Sequence, residues 1–115
     1  MSAARPEQNL RGLRRKVPVF AALGDETRLA LLTRLTQRPS CSIARLTEGS
    51  RLTRQAITKH LRVLQRAGLV RSVRCGREMR FALDPEPLDE ARRALDEISR
   101  QWDVALGKLK RFVER

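Results

Sequence analysis

Eight apolar residues, Leu88, Ala91, Leu95, Ile98, Trp102, Ala105, Leu109 and Phe112, recur in alternating steps of three and four along the C-terminal end of the chain. Such steps return side chains to one stripe of an α-helix, and a stripe held for more than three heptads is a coiled-coil seam. The spacing predicts a single helix launched by Asp84-Pro85 and Pro87. At about 1.5 Å per residue it is roughly 40 Å long. Its other faces mix acids and bases almost evenly. The rest of a 115-residue chain is too small to cover so long a stripe. Residues 85–115 are therefore expected to be a dimerisation helix packed on a second copy. The alternative is a seam folded back on the chain's own first helices, and different stretches can do each.

Upstream, the punctuation divides the chain into short elements. Residues 1–16 carry Arg5, Arg11, Arg14, Arg15 and Lys16 against Glu7, with little apolar pattern, and read as a flexible basic arm with room for a short helix near its end. From Val17 the pattern turns helical, with Pro18 suited to a first turn and Gly24 a break. Asp25 and Glu26 stand where a helix start favours acids, and Leu29, Leu31, Leu32 and Leu35 give the next helix its buried stripe up to Pro39. Ser40 reads as the cap of a short third helix, Gly49-Ser50 as a turn, and Thr53 as the cap of a fourth helix ending at Gly68. Ile57, Leu61 and Leu64 form the inner face of that helix. Two strands, Leu69–Arg74 and Glu78–Leu83, follow around Cys75-Gly76, the second with period-two alternation. The expected fold is mainly α with a small β-hairpin, residues 17–84 and 85–115 sharing one compact domain.

Composition narrows the partners. The net charge of +12 draws the chain to polyanions. Aromatic residues at 3% leave few platforms for stacking single-stranded bases. The apolar run Val19–Leu23 is too short for a bilayer span or a signal peptide, so no membrane is expected and the location is expected to be the cytoplasm. Two cysteines do not build a disulfide framework, in keeping with a reducing compartment.

The charge is concentrated. Residues 51–80 hold nine cations, Arg51, Arg54, Lys59, Arg62, Arg66, Arg71, Arg74, Arg77 and Arg80, and one acid, Glu78. Two short helices joined by a turn and followed at once by a basic hairpin describe a winged helix-turn-helix, whose second helix enters the major groove of double-stranded DNA. With Ile57, Leu61 and Leu64 inward, Arg54, Gln55, Thr58, Lys59 and Arg62 share the outer face. Those residue types read base edges and phosphates. The start of the helix at Thr53 can receive a phosphate. Arg74, Arg77 and Arg80 on the hairpin are expected to track a minor groove or flanking phosphates, positioning more than reading.

The stretches VFAALGDETRLALLTRL, LTRQAITKHLRVLQRAGLVRS and GREMRFALDPEPL resemble the ArsR/SmtB family of bacterial transcriptional repressors from about Val17 to Leu88. The last helix, with Trp102 and LGKLKRFVE, resembles a metal-independent branch of it. The resemblance implies a homodimer that binds an operator near its own promoter and blocks transcription. It places Thr53, Gln55, Thr58, Lys59 and His60 at positions that touch DNA in relatives. For His60 the residues themselves leave DNA contact and helix packing equally open.

Departures from the family bear on sensing. Metal-sensing members carry paired cysteines in the helix before the recognition helix, or Asp and His on the last helix. Here SIARLTE has no Cys, and the last helix has neither His nor Cys. Zinc takes about four N, S or O ligands. Cys41, Cys75 and His60 supply no such cluster, so no metal and no cofactor are expected. A thiol switch is the remaining sensing idea, with Cys75 between Arg74 and Arg77 and Cys41 near a helix start, both settings that favour thiolate. Competing readings are a nucleoid-type architectural protein without a defined operator, and an RNA-binding winged helix, against which the scarcity of aromatics weighs. No phosphate loop, triad or paired carboxylates suggest an enzyme.

Overall fold

Eight elements follow in the order α1 (Pro6–Leu23), α2 (Glu26–Gln37), β1 (Cys41–Ser42), α3 (Ile43–Thr47), α4 (Arg54–Arg66), β2 (Val70–Cys75), β3 (Glu78–Leu83) and α5 (Pro85–Val113). The computed structural model describes the backbone of residues 6–114 and the side chains of residues 11–114. The architecture is the expected one: mainly helical, with α3 and α4 as the helix-turn-helix, β2 and β3 as the wing, and a long C-terminal helix.

The core is apolar throughout the described residues, and each helix contributes one stripe to it. Val19 and Ala22 come from α1, Leu31, Leu32 and Leu35 from α2, Leu46 from α3 and Ile57, Leu61 and Leu64 from α4. Leu69, Val70 and Phe81 add the base of the wing, and Ala91 adds the start of α5. Placing three consecutive turns of α4 in this core leaves its opposite face with nowhere to go but solvent.

Helix ends follow local chemistry. Asp25 caps α2, its Oδ2 accepting the Arg28 N–H at 2.9 Å. Thr53 caps α4 as expected, its Oγ1 accepting the Ala56 N–H at 3.1 Å. At the other end of α4, Gly68 takes φ +79°. Its N–H reaches the Gln65 carbonyl at 3.0 Å, and the Leu69 N–H reaches that of Leu64 at 2.9 Å. That is a Schellman ending, which requires the left-handed conformation glycine adopts most readily.

Three local expectations are corrected. First, α1 begins at Pro6, so most of the stretch expected as a flexible arm is helical; residues 1–5 lie outside the described residues. The reason is tertiary: Leu13 and Lys16 are half-buried, and the Lys16 ammonium pairs with the Glu90 carboxylate on α5. Pro18 therefore sits inside the helix rather than at its start. Second, residues 41–42 form a strand. Cys41 lies opposite Phe81 and Ser42 opposite Arg80, making a three-stranded antiparallel sheet ordered β1-β3-β2. With the chain extended this far, Ser42 and not Ser40 caps α3, accepting the Arg45 N–H at 3.2 Å. Third, β2 starts at Val70, because the Leu69 N–H is spent on the helix ending.

Candidate nucleic-acid interface

The outer face of α4 presents Arg54, Gln55, Lys59 and Arg62 to solvent, opposite Ile57, Leu61 and Leu64, which are at most 1% exposed. Thr58 is half-buried beside them, and its hydroxyl donates to the Arg54 carbonyl at 2.7 Å. That bond uses the proton and leaves the oxygen lone pairs available as acceptors. Arg54, Gln55, Thr58 and Lys59, with Ile43 of α3, line one open depression. Exposed Thr53 stands at its edge, where the first backbone N–H groups of α4 begin.

The turn between α3 and α4 is braced from behind. Arg34 of α2 donates from Nη1 to the Leu46 carbonyl at 2.8 Å and from Nη2 to the Glu48 carbonyl at 2.9 Å. These are carbonyls at the C-terminal end of α3, which lack helical partners. Sequence reasoning gave Arg34 no role. Its spacing on α2 marks it only as exposed, and its partners lie in another helix.

The wing turns at Gly76, with φ +63°. Arg71, Arg74 and Arg77 are exposed along it. Arg80 departs from the expected wing role. It is half-buried opposite Ser42, its Nη2 donates to the Ser40 carbonyl at 3.1 Å, and its Nε is buried without a partner. Arg80 ties β3 to the segment before α3, a contact created by the unforeseen strand β1.

His60 also departs from the exposed group. Its ring is half-buried on the inner side of α4, with Nδ1 3.3 Å from Arg28 Nη1 and 3.7 Å from Asp25 Oδ2. Asp25 is held below the usual carboxylate range, chiefly by the Arg28 backbone N–H, with the charges of Arg28 and His60 adding to it.

The seam on α5 divides in two. Ala91 is buried and Leu88 half-buried against the chain's own core, so these two do not face outward as expected. Ile98 borders a cleft between α1 and α5, with Leu13 and Lys16 across from it. Leu95, Trp102, Ala105, Leu109 and Phe112 are exposed, and Leu106 and Val113 extend that apolar surface.

Cys41 is buried and Cys75 exposed. Facing residues on adjacent strands share a side of the sheet, and successive residues alternate. Cys41 opposite Phe81 and Cys75 opposite Glu78 therefore stand on opposite sides, so the sheet does not bring the two thiols together. Among the described residues no three His, Cys, Asp or Glu side chains gather in a group suited to a metal ion. No described helix is long and apolar enough to cross a membrane.

Residues 23–73 match the helix-turn-helix domain family. The chain is 42% identical over 79 residues to the uncharacterized HTH-type transcriptional regulator YuzN of Bacillus subtilis, covering 64% of this chain and 86% of that protein. It is 36% identical over 87 residues to the HTH-type transcriptional regulator Rv2034 of Mycobacterium tuberculosis, covering 76% and 78%. Among solved structures it is similar to an ArsR-like transcriptional regulator from Rhodococcus sp. RHA1, with a TM-score of 0.83 and 39% identity over 91% of this chain and 95% of that one.

Proposed function

Because this chain belongs to the ArsR family of helix-turn-helix transcriptional regulators, and so binds DNA and is not an enzyme, we propose that it works as a cytoplasmic homodimeric repressor at a pseudo-palindromic operator near its own promoter. The observation that carries the DNA-reading half is the outer face of α4. Arg54, Gln55, Lys59 and Arg62 stand exposed together with no acid among them, flanked by Arg71, Arg74 and Arg77 on the wing. A face that was merely solvated would mix in acids. Gln55 and Arg54 supply the side-chain types that pair bidentately with adenine and guanine, and Thr58 can accept from either kind of base. The wing arginines carry charge to the phosphates alongside.

The dimer is supported by the exposed part of the α5 seam, Leu95 and the stretch from Trp102 to Phe112, which stands open among the described residues. Two-fold pairing would present two recognition helices to half-sites about one helical turn apart. A footprint on the DNA upstream of the coding region is expected to show one protected palindrome. Uniform protection would instead mark a coating protein without an operator. In gel shifts, Gln55→Ala is expected to narrow the gap between the palindrome and a scrambled duplex by about tenfold, the loss of one bidentate base contact. An unchanged gap would remove Gln55 from the reading face.

A further inference from the structure

The base-reading face accounts for the outside of α4, but one polar cluster lies on its inside. Arg28 sits where three helices meet. Its Nε donates to the Ala22 carbonyl at 2.6 Å and its Nη2 to the Ala21 carbonyl at 3.3 Å, closing the end of α1. Its backbone N–H is held by Asp25 at the start of α2. Its Nη1 meets Nδ1 of His60, in the middle of the recognition helix, at 3.3 Å. One guanidinium thus joins α1, α2 and α4.

A guanidinium has donors only. The contact is a hydrogen bond when His60 Nδ1 is bare and the ring proton is on Nε2. A second proton on the ring would turn this acceptor into a donor facing a cation. The new N–H would have Asp25 Oδ2, now 3.7 Å away, as its acceptor. Oδ2 caps α2 and keeps a lone pair for a second donor, so the ring would be drawn away from the Arg28 guanidinium and towards the start of α2. Neutral and protonated His60 therefore prescribe different partners across the α2–α4 contact. The charged side chains bonded or ion-paired to the ring, among the described residues, are Arg28 and Asp25, both from α2. From the described residues of α1 the cluster receives the carbonyls of Ala21 and Ala22.

We propose that His60 is a positioning residue for DNA reading, fixing the recognition helix through Arg28 without touching DNA, and that protonating its ring weakens discrimination between operator and other sequences. The proposal rests on α4 being the reading helix. A small rotation of α4 moves Arg54, Gln55 and Thr58 off their base edges while leaving the wing arginines on phosphates. Specific binding is therefore lost ahead of non-specific binding. Imidazole is the side chain whose charge changes between about pH 5 and 8.

The test uses the untagged chain, whose single histidine makes every imidazole signal that of His60. The probes are the preferred duplex selected from a random-sequence pool at pH 7.5 and a scrambled duplex of equal length. Affinity ratios are read by fluorescence anisotropy from pH 7.5 to 5.5, and imidazole titration by proton NMR on the same protein. The expected wild-type ratio falls about fivefold or more, a modest coupling between sites, with its midpoint at the NMR midpoint. His60→Asn, whose amide oxygen can accept from Arg28 without titrating, keeps the pH 7.5 ratio at both ends. His60→Leu lowers the ratio at both ends. A wild-type ratio that ignores pH overturns the proposal, as does a midpoint away from the NMR value. So does a His60→Asn protein that melts like wild type yet loses discrimination at pH 7.5, which would mark a direct DNA contact. A pool that yields no preferred duplex removes the operator reading, and this proposal with it; the other outcomes leave that reading standing.

Discussion

Asp25 and Thr53 each close a helix start with a side-chain oxygen, and the two respond differently to conditions. The Asp25 carboxyl has a folded value lowered from 3.8, chiefly because it accepts the Arg28 N–H. A group depressed on folding stabilises the fold above its unfolded value and loses that contribution as pH falls through the folded one. Urea midpoints are therefore expected to decline as pH falls below about 4, through the unfolded value and on to the lowered folded one. Asp25→Asn keeps an acceptor for the cap but has no charge to lose, so its midpoint should decline less over the same interval. An identical decline would assign the acid sensitivity to other carboxylates. Thr53 carries no charge, and Thr53→Ala is expected to cost about 1 kcal/mol at any pH in that range, the usual loss for an N-cap oxygen. Urea denaturation at two pH values measures both. Asp25 was legible as an acid at a helix start, but its second neighbour, His60, was not, because the two are brought together only by the crossing of α2 and α4.

Among the elements, α4 was the most legible because its cap, amphipathic face and stop are all local. Its end carries a sharp test. Gly68 has φ +79°, and a Cβ there would meet Pro87 Cγ at 3.5 Å, an ordinary contact. The cost of Gly68→Ala is therefore backbone strain alone, about 1–2 kcal/mol. It should appear as a lower urea midpoint with an unchanged slope. The wing was legible as a hairpin, but the part played by Arg80 was hidden in strand β1, two residues long and paired with β3 some forty positions away. Two residues carry no periodicity, so only the partner strand defines them. The stretch of α1 before Val17 was hidden for the same reason, its support coming from α5, which Leu13 faces across a cleft and Lys16 meets through Glu90. With Arg80 committed to Ser40, Arg77 at the turn is the freer wing cation. Arg77→Ala is expected to weaken operator and scrambled duplex alike, and to shrink the slope of log affinity against log salt by about one. A change confined to the operator would make Arg77 a reader of sequence instead.

Across the whole molecule the longest dimension is 67 Å against 30 and 21 Å, because α5 runs well past the core its first turns help to build. The same seam is thus split between interior and surface. Leu88 and Ala91 belong to the chain's own interior, while Trp102 is 62%, Leu109 57% and Phe112 71% exposed. Covering a large apolar side chain contributes roughly 1.5–3 kcal/mol. Several such residues along one stripe are enough to offset the entropic cost of pairing two chains. Replacing Trp102 and Leu109 together with Glu puts charge into the proposed contact but touches nothing in the core. The wild type is expected to sediment as a dimer and the double variant as a monomer at the same concentration, with its helical circular dichroism kept. With one recognition helix instead of two joined ones, its affinity for the full palindrome should drop about a hundredfold or more, the usual scale of lost bivalency. Its affinity for an isolated half-site should stay near that of a wild-type subunit. A variant that still sediments as a dimer would move the contact away from this stripe, and the cleft between α1 and α5 around Leu13 and Ile98 would be the next surface to mutate.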